Sequence, residues 1–154
     1  MIMFGAIKNV LKNVRKLDGK KILHDSLDNS QIQSDIIGLN TDEQLFKQGV
    51  FADGKPTGDY ATNTIYGTPE YKGKIEKNQP YDHLTFKDTG AFYGSFIFIN
   101  GQDGFVITAN TKIHGKDLQE SNGKIVGLTD ESISTVRGWV APICIAKTKE
   151  ILFK

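Results

Sequence analysis

The stretch LTFKDTGAFYGSFIFINGQDGFVITAN, residues 84–110, decides the fold class of this 154-residue chain. β-Branched and aromatic residues are dense in Ser95–Ile99 and Phe105–Thr108, and Asn100-Gly101-Gln102-Asp103-Gly104 between them is rich in residues that tolerate positive φ. The pattern predicts a β-hairpin. Just upstream, Asp88-Thr89-Gly90 reads as a tight corner feeding directly into the first strand. Gly90 allows the sharp turn, the Asp88 or Thr89 side chain can cap the turn after it, and Phe92 and Phe96 can plug the junction between helix and sheet.

Helical patterns lie at both ends of the chain. Phe4, Ile7, Val10, Leu11, Val14 and Leu17 recur at spacings of three and four, which predicts an amphipathic helix over Met3–Leu17 ended by Asp18-Gly19. A second pattern from Ile22 to Leu39 is open to a break at Asp28-Asn29-Ser30. Asn40 or Thr41 then stands where a short third helix would be capped, with Gln44 completing a capping box and Gly49 terminating. After the hairpin, Lys112–Gly123 reads as a connector with one helical turn and Lys124–Leu128 as a short extended piece. Thr129 caps a closing helix over residues 129–152, with Asp130 and Glu131 at its start, Lys147 and Lys149 near its end, and a kink expected at Pro142. Helices at both ends packed on a small antiparallel sheet, with a central hairpin and a long polar loop, make the expected class α+β in a single domain over 1–154.

Residues 50–82 form that long loop or arm, or from Val50 to Pro80 a floppy hairpin. Asp53-Gly54-Lys55-Pro56, Thr57-Gly58 and Thr68-Pro69 are turn chemistry, and loops of this length tend to be functional or disordered. Tyr60, Tyr66, Tyr71 and Tyr81 are scattered through it, and tyrosine supplies rigid area with a hydrogen-bonding tip, so these four are the candidate interface residues.

The net charge of +1 is unevenly spread: residues 1–24 carry Lys8, Lys12, Arg15, Lys16, Lys20 and Lys21 against Asp18, while the remainder holds 13 basic and 17 acidic residues. Lys8, Lys12, Arg15 and Lys16 are the candidate anchors, for an acidic protein surface or a phosphate backbone. No apolar run reaches the roughly 18 residues needed to cross a bilayer, so no membrane partner is expected. The lone Cys144 sits in an apolar run and reads as a buried small hydrophobe.

The residues offer little catalytic chemistry. Asp82-His83 and Ser95 can be combined on paper into a nucleophile and its base, but no strained elbow surrounds the serine. His24, His83 and His114 lack metal-ligand spacing, and Gly101-Gln102-Asp103-Gly104 lacks the Lys-Ser or Lys-Thr of a phosphate loop. Asp88-Thr89-Gly90 matches the triplet of retroviral-type aspartic proteases, whose almost wholly β fold the helical ends contradict. No enzyme activity, cofactor or metal is expected.

Leu84–Ser95 resembles the Leu-x-Asp-Thr-Gly-x-Leu-x-x-Ser signature of tailed-phage virion-morphogenesis proteins, the tail-completion or neck family. Phe92 stands where the family usually has Leu. The order of segments is similar from about Leu39 to Leu128, with Gly49, Asp53-Gly54, Thr64 and Lys72 or Lys74 in a variable polar stretch before the corner. The downstream Tyr-Ala-x-x-His-Gln-x-Gly segment of the family is echoed only by Ile113-His114-Gly115. The resemblance implies a structural virion protein assembled in a bacterial host's cytoplasm, docking as a homo-oligomeric ring at the head-to-tail junction or tail end. Its implied partners are itself, the portal, adaptor or tail proteins of the same phage, and DNA passing through the channel. Its structural corner would be Asp88, Thr89, Gly90, Phe92 and Ser95. The alternative is a small soluble module that binds protein or nucleic acid through the basic amino-terminal helix.

Overall fold

The structure, a computed structural model, describes residues 2–113 and 115–154; for residues 2–6, 71 and 113 it describes the backbone alone. The expectations placed on His114 and on the side chains of Phe4 and Tyr71 therefore lie outside the described residues. The class is α+β: helices flank small antiparallel ladders that do not close into a barrel.

The amino-terminal half is helical. α1 spans Ile2–Val14, α2 Gly19–Leu27 and α3 Ser30–Gly38. Asp18 opens α2 where the sequence suggested that it closes α1: its carboxylate accepts the Lys20 and Lys21 N–H groups, two of the donors every helix start leaves unsatisfied. Asn29 caps α3 in the same way through Gln31 and Ile32, which produces the break expected at residues 28–30. The capping box at Thr41 does not form. α3 runs without a break into a π-helix over Leu39–Gln48, so the preceding turn supplies the carbonyls and the Thr41 hydroxyl donates back to Ile37 O. Gly49, at φ 64°, ends the π-helix in the left-handed region, as a terminating glycine should.

The hairpin pairs β3, Ile97–Gly101, with β4, Gly104–Thr108, around a two-residue turn. Its first strand starts later than the sequence suggested. A helical turn, α5 over Ala91–Gly94, intervenes between corner and strand and takes Ser95 as its carboxyl-terminal cap. Phe98, Phe105 and Ile107 face the helices; Phe98 and Phe105 stack at 5.0 Å. Residues 50–82 are a long loop with short elements of its own, a small antiparallel ladder among them. They hold a bridge between Val50 and Pro56, a short helix α4 (Thr62–Tyr66), and a two-residue ladder of β1 (Gly67–Thr68) with β2 (Tyr71–Lys72). Downstream, β5 (Lys112–Ile113) pairs with β6 (Lys116–Asp117), and α6 (Leu118–Asn122) is the expected helical turn. α7 runs from Asp130 to Leu152 through Pro142, capped by Thr129, whose hydroxyl accepts Ser132 N–H.

Two apolar clusters organise these elements. Leu45, Phe51, Phe92, Phe96 and Ile125 bury the corner against the π-helix, and Leu27, Ile36, Val136 and Val140 join α2, α3 and α7; Ile107 packs against both. Cys144 is half-buried at the second, its thiol 3.3 Å from the Ser26 hydroxyl.

A polar clamp sits beside the first cluster. Asn40 and Gln44, both fully buried, lie one turn apart on the π-helix. The Asn40 amide donates to Ile125 O at 3.1 Å and accepts Gly127 N–H at 2.8 Å; the Gln44 amide donates to Gly127 O at 3.1 Å and accepts Thr129 N–H at 3.0 Å. Two side chains thus satisfy four backbone groups of a segment that pairs with no strand among the described residues.

Candidate functional site: a lysine-lined cavity at the corner

The corner is built on Gly90, whose φ of 88° allows the chain to turn into α5; the Thr89 hydroxyl accepts Ala91 N–H at 3.3 Å. A side-chain β-carbon on Gly90 would meet nothing within 4 Å, so its requirement is conformational and not steric. Phe92 and Phe96 plug the junction edge to face, 5.1 Å apart, as the sequence suggested. The Ser95 hydroxyl donates to Phe92 O at 2.7 Å and accepts Asn110 N–H at 3.0 Å, which ties the end of α5 to the exit of the hairpin.

Two tyrosines clamp the segment that leads into the corner. Thr85 is fully buried; the Tyr60 hydroxyl accepts its N–H at 2.9 Å and lies 2.8 Å from its Oγ1, while the Tyr93 hydroxyl donates to its carbonyl. Burial pushes the Tyr93 hydroxyl pKa well above the ordinary phenol value. The clamp holds Phe86 at φ 54°, a left-handed conformation that costs an aromatic residue about 1–2 kcal/mol.

Between this clamp and residues 64–77 lies a cavity of about 740 Å³. Its walls include Asp88, Thr89, Gly90, Phe92 and Ser95, so all five corner residues come together there, joined by Tyr60. The cavity is also lined by Lys72, Lys74, Lys77, Lys87 and Lys112, with Asp88 as the one acidic residue among the described residues of its wall. Asp88 pairs with Lys77 at 3.3 Å. Lys87 rests its ammonium over the rings of Phe46 at 4.6 Å and Tyr93 at 5.4 Å. Lys74 is 6% exposed. Its ammonium donates to Gln79 Oε1 at 2.8 Å and to Lys87 O, and sits 5.1 Å from the centre of the Tyr60 ring. Lys74 is held by its backbone, whose N–H bonds Thr64 O. It is held also by the close approach of Gly73 to α4, where a β-carbon would come 2.3 Å from Gly67 N and Ile65 O.

The remaining sequence candidates lie elsewhere. Tyr60 spends its hydroxyl inside the chain, on Thr85. Tyr66 and Tyr81 stand on the surface, 66% and 51% exposed. Lys8, Lys12, Arg15 and Lys16 are exposed on and just after α1, whose apolar residues Ile7, Leu11 and Val14 are themselves about half exposed. His83 and Ser95 are not partners: the His83 ring contacts Asp82 Oδ1 at 2.8 Å and Phe46 O at 2.9 Å, and Ser95 is committed to the backbone of Phe92 and Asn110. Among the described residues, no three His, Cys, Asp or Glu side chains gather as a metal site. Sequence reasoning missed the lysine cluster; Lys72, Lys74 and Lys77 were its available signal, whereas Lys87 and Lys112 reach the same wall only through the fold.

No family model, curated protein or solved structure matches this chain.

Proposed function

We propose that this chain is a structural subunit of a tailed-phage particle that docks with its own copies into a ring at the head-to-tail junction. The outer face of the hairpin is the observation that carries the reading. Ile99 lies directly opposite Val106, and Ile97 is two residues along on the same face; the three are 50%, 61% and 58% exposed. A two-stranded ribbon also leaves both outer backbone edges open, and among the described residues no third strand pairs with either. β-Branched residues on an open ribbon favour pairing with another chain, and a heterologous contact that closes makes a ring. The corner supports the same reading, because Gly90, α5 and the Phe92–Phe96 plug fix the hairpin's root and so present its outer face rigidly. The subunit's work is then to occupy a fixed place and seal a channel, without catalysis.

Peptide mass spectrometry of gradient-purified particles, scaled to the portal protein, tests the proposal. A few to a dozen copies per particle are expected, with Ile97→Thr/Ile99→Thr/Val106→Thr folded as a monomer and lost from particles. A chain absent from particles, or a triple variant incorporated normally, would overturn it.

One observation favours a second reading. Lys8, Lys12, Arg15 and Lys16 form no ion pair among the described residues, so α1 offers a free basic face to an acidic protein or to nucleic acid. That reading requires binding that weakens steeply with salt and is lost on reversing those four charges.

A further inference from the structure

Positive charge predominates in the corner cavity. Among the described residues of its wall five are lysines and one is an aspartate, which is already paired with Lys77. Among the described residues, Lys72, Lys74 and Lys87 form no ion pair, whereas Lys112 stands opposite Asp117 in the β5–β6 ladder. Lys74 is the sharpest case. A buried ammonium is costly unless an opposite charge compensates it, yet its partners in the structure are a side-chain amide, a backbone carbonyl and an aromatic face, all neutral. Surface lysines repelling one another into water need no explanation; a lysine left only 6% exposed beside other lysines does.

We propose that this cavity binds a small molecule carrying a polyphosphate group, with Lys74 at the base of the site and Lys72 and Lys112 at its exposed rim. The inference is independent of the assembly reading, which rests on the opposite feature of the hairpin, its uncharged outer face. Charge sets the ligand class: among the described residues the lining carries five lysines against one aspartate, a formal excess of four positive charges, and a polyphosphate concentrates several negative charges in a small volume. Lysine is well suited to this role as a point charge on phosphate oxygens. Size sets the rest. A volume of about 740 Å³ lies in the range of small-molecule pockets and exceeds what a bare triphosphate fills, which leaves room for an organic body against Phe86 and Leu118. The Thr89 and Ser95 hydroxyls border the same space. A nucleic-acid strand fits less well, because a strand needs a succession of open aromatic faces, whereas among the described lining residues Phe92 is buried and Tyr60 and Phe86 are only partly exposed.

Isothermal titration calorimetry of the full chain at low salt tests the site, with inorganic tripolyphosphate, ATP and an eight-residue oligothymidylate as probes. Tripolyphosphate should bind one-to-one, with ATP equal or tighter. Lys74→Met should weaken both by about tenfold or more, as loss of a buried charged contact does. Should Lys74→Met fail to fold by circular dichroism, Lys72→Gln/Lys112→Gln carries the same test from exposed positions, again with about tenfold weakening expected. Lys8→Gln/Lys12→Gln should change binding less than about twofold, since neither lysine lines the cavity. No heat with millimolar tripolyphosphate would overturn the proposal, as would equal weakening by the α1 variant. Oligothymidylate bound more tightly than either phosphate probe, and dependent on Lys74, would overturn it in favour of a nucleic-acid groove.

Discussion

Removing the clamp made by Asn40 and Gln44 should destabilise the chain far more than its two neutral amides suggest. Asn40→Ala leaves Ile125 C=O and Gly127 N–H without partners in a region where Asn40 itself has no exposed surface. Each orphaned buried backbone group costs about 1–3 kcal/mol, so a loss of about 2–5 kcal/mol is expected after partial relaxation. Gln44→Ala strands Gly127 C=O and Thr129 N–H, with a similar loss. The two amides hold opposite faces of the same Gly127 peptide region, so their effects should couple, by about 0.5–3 kcal/mol in a double-mutant cycle. Asn40→Asp is the sharper probe: it preserves size and the acceptor for Gly127 N–H but sets a carboxylate oxygen against Ile125 O, and should cost at least as much as alanine. Urea unfolding followed by circular dichroism and by the fluorescence of Trp139 measures all four variants. Single variants within about 0.5 kcal/mol of the parent chain would refute the reasoning, since surface substitutions typically fall in that range.

Two glycines should separate strain from collision. At both Gly49 and Gly90 φ is positive, but a β-carbon on Gly49 would come 2.4 Å from the His83 ring, whereas on Gly90 it meets nothing. Gly90→Ala should therefore cost about 1–2 kcal/mol and Gly49→Ala clearly more, in the same urea assay; equal losses would mean that His83 moves aside freely. Tyr93 should make stability fall in alkali. Its folded pKa lies above the unfolded value of about 10, so beyond that pH the unfolded chain releases a proton that the folded chain keeps, and stability drops as pH rises. Tyr93→Phe should be weaker near neutral pH, lacking the bond to Thr85 O, but should show a shallower decline above pH ~10; parallel declines would refute the assignment.

The elements legible in the sequence were those fixed by local chemistry. The hairpin could be read from alternation and a glycine-flanked turn, the split between α2 and α3 from Asp28-Asn29-Ser30, and the start of α7 from Thr129 with two acidic residues after it. Where the reading shifted, a long-range contact outweighed a local one. Thr41 has the right spacing for a capping box, but α3 continues into the π-helix because Asn40 and Gln44 gain four hydrogen bonds to residues more than 80 positions away. No periodicity announces that exchange. Asp18 is ambiguous for a different reason: the same Asp-Gly pair ends one helix or begins the next depending on which N–H groups lie within reach of the carboxylate.

The corner and the cavity divide along the same line. Asp88, Thr89, Gly90, Phe92 and Ser95 lie within one short stretch, so their shared role in one turn could be read from residue types, whereas the lysines that give the cavity its charge are spread from Lys72 to Lys112. In the sequence Lys72 and Lys74 stand only as members of a variable polar stretch. What changes their meaning is a single backbone fact. Gly73 passes so close to α4 that only glycine fits, and the residue after it is carried to the cavity wall beside Tyr60. A methionine there would fill similar space but would leave Gln79 Oε1 and Lys87 O without the ammonium that joins them. The bonds to Gln79 and Lys87 fix where the Lys74 ammonium sits, and a tripolyphosphate titration decides whether it and the surrounding lysines face an anion there.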